Sequence, residues 1–540
     1  MNGGAGRAGS RRELAAFALL SAMLFLPGLA ARDLWNPNEP LYGRVVVEMY
    51  ERGDWWIPTF NGRVFDEKPI LYFWLALGLS TVAGGVSEWS LRLPSALAGS
   101  VGVALVYRLA LTHAGHRRAR IAAALFATTY LVFWSARSVQ MDLLLSVTTL
   151  AAVLAGTRAM RERGTAVVAW SLCGASVGLG FLAKGPVGVI CPLLALGAHA
   201  AVARVLPSVR GTMLATAVAA VVAVPWLLVL LGRGQHEFLD ELLVRQNVTR
   251  FLAPWDHERA WWYFLLHFWL DMAPWGFLLL LVRLSGREAA SVRLLDRWCV
   301  AWILTIVAFF SLSASKRSPY ILPVAPAVAI LAAGTVERWL DRTLDPVRRA
   351  ALWLIAAAMT VALPLLGGYA WLVLRVRYPT LAQPLTAAAV VLGVGALAAA
   401  WSLARARARP ALAPAALFAT VVALYLLAAT WALPALDPLK SSRPFCEEVR
   451  SITGDAAAIR SYRGWEWRAG YIYYLGREIP RIETPAALRA YWESSEPVFL
   501  VVEDGQLDEV RDALGSIEPL VKRPVGSKTA YLFTNARSRR

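Results

Sequence analysis

The stretch WNPNEPLYGRVVVEMYERGDWWIPTFNGRVFDEKPILYFW, residues 35–74, decides how this chain is read. It is the only long segment in the first half that is not mainly aliphatic. Glu39, Glu48, Glu51, Asp54, Asp66, Glu67 and Lys68 stand among its apolar residues. A charged stretch of this length between long apolar runs reads as an aqueous loop joining membrane spans. Its acids and its lysine make it a candidate for part of an active site.

The rest of the chain fits that frame. Only 17% of the 540 residues are charged and mean hydropathy is +0.49, whereas soluble domains carry about 25% charge. A net charge of +18 would suggest nucleic acid in a soluble protein. Here arginine clusters between apolar runs explain it, so no nucleic acid is expected and the partners are membrane lipids. Cys173, Cys191 and Cys299 lie in apolar runs and Cys446 stands alone in a polar region, so no structural disulfide is expected.

Apolar runs near 18–22 residues predict thirteen spans. They fall near 13–31, 93–112, 121–136, 142–157, 166–182, 186–203, 211–231, 262–282, 298–313, 319–336, 350–373, 385–403 and 411–433. Residues 69–86 are apolar but short and aromatic-rich, and read as an interfacial helix in an outer loop spanning 32–92. With that choice every arginine-rich loop after an even-numbered span falls inside. The chain is thus a mainly α, polytopic protein of a bacterial-type plasma (inner) membrane, with its N-terminus inside. Residues 1–436 form the membrane module. Residues 437–540 change composition and predict a small soluble α/β domain outside, with Thr484-Pro485 opening one helix. The chain is expected to act as a monomer.

Lysine is the informative cation, because only six of the 55 basic residues are lysines. Lys68, Lys184 and Lys316 all fall at outer ends of spans. An ammonium is a compact charge suited to phosphate, so three on one face suggest an anionic ligand there. Carboxylates repeat the pattern: Glu39 and Glu67 lie in the opening loop, and Asp142 opens the fourth span. His257 lies in the polar loop 232–261. Ionisable groups at membrane boundaries are functional candidates. Plainer roles are open to each: Asn38 or Asp142 as helix caps, Lys184 snorkelling to the interface, His257 as a solvated loop residue.

Residues 37–74 resemble the first outer loop of the GT-C glycosyltransferases of the protein mannosyltransferase and aminoarabinose transferase group (glycosyltransferase family 39/83-like). The matching features are Glu48-Met49, Gly53-Asp54-Trp55, Asn61-Gly62, Glu67-Lys68-Pro69 and an aromatic pair. Shorter likenesses are AKGP at 183–186, TRF at 249–251 and SKRSPYILP at 315–323. The resemblance implies an inverting enzyme that takes a sugar from a polyprenyl-phosphate donor and passes it to a lipid, protein or glycan acceptor. In this group an acid stands where this chain has Asn38, and an arginine where it has Leu41, while Tyr42 matches. The base then falls to Glu39 or Asp142. Lys68, Lys184, Arg250, Lys316 and Tyr320, with Tyr42, would hold donor phosphate and substrate. A divalent metal is implied on Glu67 with His257, since Asn247 occupies the usual histidine position. The competing class is a polytopic transporter or lipid flippase, which would place polar groups near the bilayer midplane. A third is a receptor whose soluble domain binds a partner.

Overall fold

The computed structural model describes residues 3–162, 166–253, 256–284, 288–405, 408–454, 457–463 and 468–536. In chain order the first elements are helices α1 (Gly3–Phe25) and α2 (Asn38–Arg52), strands β1 (Thr59–Phe60) and β2 (Arg63–Val64), and helix α3 (Leu71–Val82). Next come α4 (Glu88–Ala127), α5 (Tyr130–Ala136), α6 (Asp142–Arg161), α7 (Val167–Lys184), α8 (Val187–Ala203) and α9 (Val209–Gly232). Short α10 (His236–Asp240) and α11 (Arg250–Leu252) flank a π-helix, Glu241–Thr249, and precede α12 (Tyr263–Asp271). Then follow α13 (Ala290–Leu312), α14 (Ala325–Leu340), α15 (Pro346–Arg377), α16 (Ala382–Ala404) and α17 (Leu412–Leu427). The last part holds α18 (Asp437–Lys440), α19 (Arg443–Thr453), β3 (Ile459–Tyr462), α20 (Arg468–Leu475) and β4 (Arg481–Ile482). It ends with α21 (Pro485–Trp492), β5 (Phe499–Glu503), α22 (Leu507–Leu514), β6 (Val521–Val525) and β7 (Lys528–Thr534).

These elements form two compact units. The first is Met1–Leu29, Asp66–Leu75 and Arg92–Ala428; the second is Ala30–Phe65, Ala76–Leu91 and Ala429–Arg540. The first is an all-helical membrane module. Among the described residues eight helices are long and apolar enough to cross a bilayer, or nine if the pair Tyr263–Asp271 and Trp275–Leu281, bent by 113°, is one span. The protein is therefore a multi-pass membrane protein. Three apolar helices fall short of a full crossing: Ala15–Phe25, Leu71–Val82 and Val187–Ala203. The expected interfacial helix is the second of these, and at 12 residues it is too short to span.

Thirteen spans were expected: those near 13–31 and 186–203 correspond to the short apolar helices Ala15–Phe25 and Val187–Ala203, and two others are broken. The interruption of helical geometry at Gly115 (φ 83°) within α4 falls between the expected second and third spans, whereas the third, expected as one helix over 121–136, is divided by a break at Thr128-Thr129 before α5. The Thr128 and Thr129 hydroxyls back-bond to the Ala124 and Leu125 carbonyls at 2.8 and 2.9 Å, a local alternative that competes with helix continuation. The eighth is the bent pair, turned at Ala273-Pro274, where proline removes a donor. Elsewhere small residues set the packing. Ala325–Ala333 at the start of α14 is wholly buried, and its alanines let neighbouring helices approach. Gly188 does the same between α7 and α8, since a Cβ there would sit 2.0 Å from the Gly180 carbonyl oxygen.

The second unit is α/β. Its five-stranded sheet runs β4-β3-β5-β7-β6, with β3 parallel to β4 and β5, and β7 antiparallel to β5 and β6. Alternation along β5 supplies both cores: Val501 packs with Phe445 and Ile472, while Leu500 and Val502 pack with Leu488 and Val510. Helices thus cover both faces. The helix expected at Thr484-Pro485 is present, with the Thr484 hydroxyl accepting from the Ala487 amide at 3.2 Å. The unit is not confined to 437–540. The opening loop is built into it: the Leu34 amide donates to the Tyr474 hydroxyl at 2.7 Å, and Asn36 donates to Ser442 at 2.8 Å. The β1–β2 hairpin turns on Asn61 (φ 55°) and Gly62 (φ 73°), a turn that asks for this pair. The Glu48 carboxylate accepts both turn amides, at 2.7 and 3.3 Å.

Candidate active site

In the membrane module, α6 begins at Asp142 and α7 ends at Lys184. Consecutive helices joined by a short turn run antiparallel, so the start of one meets the end of the other. Lys184 Nζ forms an ion pair with Asp142 Oδ1 and lies 4.8 Å over the Tyr320 ring. Gly185 (φ 64°) terminates α7, a conformation that favours glycine, and its Cα faces Asn247 and Pro69. That places the Lys184 turn beside the Glu67-Lys68-Pro69 segment. All these groups stand at helix ends or in loops, not midway along a span.

Lys68 is the centre of this group. Its ammonium donates to the Glu67 carbonyl at 3.0 Å and lies 3.9 Å from the Glu67 carboxylate. Burial pushes its pKa down to about 8; Glu67 opposes the shift, and the positive charges of Arg250, Lys184 and Arg317 add to it. Two of those cations have carboxylate partners of their own, Lys184 with Asp142 and Arg250 with Asp256. Next to Lys68, Asp66 is pushed up, first by burial and then by the charges of Glu241 and Glu67.

The 250–259 loop is laced to the loop after α13. The Ala314 amide donates to the Phe251 carbonyl at 2.9 Å, and the Lys316 amide donates to the His257 carbonyl at 3.0 Å. Arg250 Nη2 donates to both oxygens of Asp256, at 2.7 and 2.9 Å, and Nη1 donates to Gln246 at 3.0 Å. Lys316 differs from the other two lysines. It is 3% exposed, and its ammonium donates to the Arg259 carbonyl at 3.0 Å and to the Ser313 carbonyl. Burial lowers its pKa, with Glu258 opposing.

The remaining sequence candidates belong to the second unit. Asn38 is the first residue of α2; Pro37 is the cap, with no side-chain cap bond. Glu39 is buried, and both its oxygens are engaged: Arg32 donates to them at 2.5 and 3.1 Å, and the Trp35 amide donates at 3.2 Å. Tyr42 is also buried, edge-on to Phe65 at 6.4 Å. Asp437 accepts from the Asp33 amide at 3.0 Å and the Trp35 indole at 2.7 Å, and burial pushes its carboxyl up to about 6.

The donors present do not suit a divalent cation. Among the described residues no three His, Cys, Asp or Glu side chains converge. Glu67 sits among cations, the Asn247 amide donates to the Leu242 carbonyl at 2.6 Å, and His257 Nε2 lies 3.6 Å from Asp256. No step is routed through a metal. Sequence reasoning missed Asp256 and Arg317, although both neighbour residues it chose. It also missed Arg32 and Asp437, whose roles appear only in three dimensions.

The chain was compared with known proteins. Residues 67–229 match the family described as dolichyl-phosphate-mannose-protein mannosyltransferase. An undecaprenyl phosphate-alpha-4-amino-4-deoxy-L-arabinose arabinosyl transferase 1 of Pseudomonas fluorescens is 32% identical over 335 residues, covering 60% of this chain and 58% of that protein. Its counterpart in Pectobacterium carotovorum is 28% identical over 387 residues, 70% of this chain and 68% of the relative. The match to the first of these spans less than two thirds of its length. The crystal structure of ArnT from Cupriavidus metallidurans bound to undecaprenyl phosphate superposes with a TM-score of 0.75 at 20% identity, covering 97% of this chain and 98% of that one. The oligosaccharyltransferase of Archaeoglobus fulgidus gives 0.51 at 13% identity, covering 93% and 68%. The chain therefore has the fold of the GT-C glycosyltransferases.

Proposed function

We propose that this chain is an integral membrane glycosyltransferase that moves a sugar, with inversion, from a polyprenyl-phosphate donor to an acceptor on the outer face of a bacterial inner membrane. One observation carries the reading. Lys68 is held in a partly desolvated place where Lys184, Arg250 and Arg317 add positive charge against the close carboxylate of Glu67. That arrangement raises the free energy of the protein alone and is relieved by an anion. The phosphate of a lipid-linked sugar supplies one. Fold likeness to a transferase crystallised with undecaprenyl phosphate, and sequence likeness to arabinosyl transferases, support the same class of donor.

In the proposed reaction the anomeric carbon–oxygen bond to the phosphate breaks, and its electron pair leaves with the phosphate. Lys68, Lys184 and Arg250 stabilise that growing charge. An acceptor oxygen attacks from the opposite face, which inverts the anomeric centre. Glu39, with both oxygens engaged by Arg32 and Trp35, is the poorer base. Asp142 shares its cluster with the lysines, and Lys184 engages only one of its oxygens. An acceptor hydroxyl would pass its proton to Asp142. An acceptor that is already ionised, such as a phosphate oxygen, needs no base. Lys316, tied to two carbonyls, positions the loop bearing Arg250 rather than gripping phosphate.

The test is transfer of labelled sugar from polyprenyl-phosphate-linked donors, pentosyl donors first, in membranes carrying the full chain. Transfer by the wild type that is lost in Lys68→Met supports the assignment; undiminished transfer in Lys68→Met and Lys184→Met together refutes it. Asp142→Asn then sorts acceptors: hydroxyl acceptors lose transfer and phosphate acceptors keep it.

A further inference from the structure

Helices α14, α15, α16 and α17 line an apolar cleft of about 120 Å³ that plays no part in the chemistry above. Its walls include Trp339, Trp353, Leu392, Ala399 and Leu417. Three of its polar groups are already engaged. The Thr420 hydroxyl donates to Ala416 at 2.8 Å, the Thr335 hydroxyl to Leu278 at 3.5 Å, and the Trp339 indole to Pro410 at 2.8 Å. A lining made almost wholly of apolar side chains favours hydrocarbon over water.

The position of the cleft says which hydrocarbon. Trp339 lies near the end of α14, Trp353 near the start of α15, Leu403 near the end of α16 and Ala413 near the start of α17. The cleft therefore lies at the end of the bundle where loops 341–345 and 405–411 connect these helices. Those loops and the adjoining turns carry Arg342, Arg349, Arg405 and Arg409, all exposed. Arg405 lies 4.2 Å over the Trp401 ring, a placement typical of the headgroup level. An apolar slot under a cationic rim is complementary to one class of molecule. We infer that this cleft is a binding site for an anionic phospholipid of the leaflet that meets these arginine loops, with an acyl chain between α14 and α17 and the phosphate against Arg405 and Arg409.

The test uses the purified full-length chain in detergent, titrated with phosphatidylglycerol or phosphatidylcholine and read by native mass spectrometry. The wild type should prefer phosphatidylglycerol. At about 1 kcal/mol per surface arginine, Arg405→Gln with Arg409→Gln should weaken its binding about thirtyfold while leaving phosphatidylcholine unchanged. Ala399→Phe, which fills the slot, should abolish retention of both lipids. Should that variant fail to fold, the milder Ala396→Leu should reduce both severalfold. Equal retention of the two lipids by the wild type would overturn the proposal. So would unchanged binding in the filled variants, or competitive displacement by undecaprenyl phosphate, which would give the slot to the polyprenyl tail.

Discussion

Two groups of buried charge stand at opposite ends of α13. At one end Asp296 pairs with Arg118, each 1% exposed, and lies 3.7 Å from Arg338, which in turn meets Glu288 at 2.8 Å. Two arginines face two carboxylates, and Arg118 also donates to the Ile330 carbonyl at 3.1 Å. At the other end, some 17 residues and about 25 Å along the helix, Lys68 lies among Lys184, Arg250 and Arg317 with Glu67 as its close carboxylate. The first group pairs opposite charges within the protein and joins α4, α13 and α14. The second becomes complete when an anion arrives. Burial and charge balance together separate the group that holds the fold from the group to which we assign the chemistry.

Removing one cation from each group should expose the contrast most strongly. Lys68→Met should cut transfer about a thousandfold, the scale expected for a lost donor to developing charge. It should not lower thermal stability, because a buried lysine whose pKa is depressed opposes folding while charged, below about pH 8, and that penalty disappears with the side chain. Arg118→Met should do the reverse. It strands Asp296 in the core and should cost about 3–5 kcal/mol, read as a lower unfolding temperature in detergent. If both variants lost stability equally, the distinction between the groups would fail.

Lys316 gives an intermediate case. Its ammonium ties Arg259 and Ser313 together, so Lys316→Met should cost about 1.5–3 kcal/mol per lost charged hydrogen bond. Its transfer defect should fall on kcat more than on donor KM, and Lys316→Arg should rescue stability in part. A defect confined to donor KM would make Lys316 a phosphate ligand after all.

How much of this could be read in the sequence depended on distance along the chain. The 35–74 stretch reads as a loop, and lysine scarcity pointed to Lys68, Lys184 and Lys316, of which the fold brings Lys68 and Lys184 near one another. Their juxtaposition follows from antiparallel helices, which topology alone predicts. The break at Gly115 falls in the basic 113–120 loop that the sequence marks, while the one at Thr128-Thr129 was hidden because the run remains apolar across it. Glu39 looked like an available base because Arg32, its partner, carries no motif. The anchoring of Trp35 on Asp437 joins residues 402 apart, beyond any local pattern.

The smallest expected effect is a pH dependence. Below about pH 8 Lys68 carries its proton with or without donor, so donor KM should be flat. Above pH 8 the free protein sheds a proton that phosphate binding must restore, and KM should climb toward tenfold per pH unit. In Lys68→Met that rise should vanish. A wild-type KM constant from pH 7 to 9.5 would remove Lys68 from the phosphate site.

Equilibrium binding of undecaprenyl phosphate to the purified chain at pH 7 tests the central claim most directly, because it needs no knowledge of sugar or acceptor. The wild type should bind with an affinity at least about a hundredfold above that of Lys68→Met, the scale of one desolvated charge–phosphate contact. Equal affinity in the two proteins, with both folded, would contradict the account.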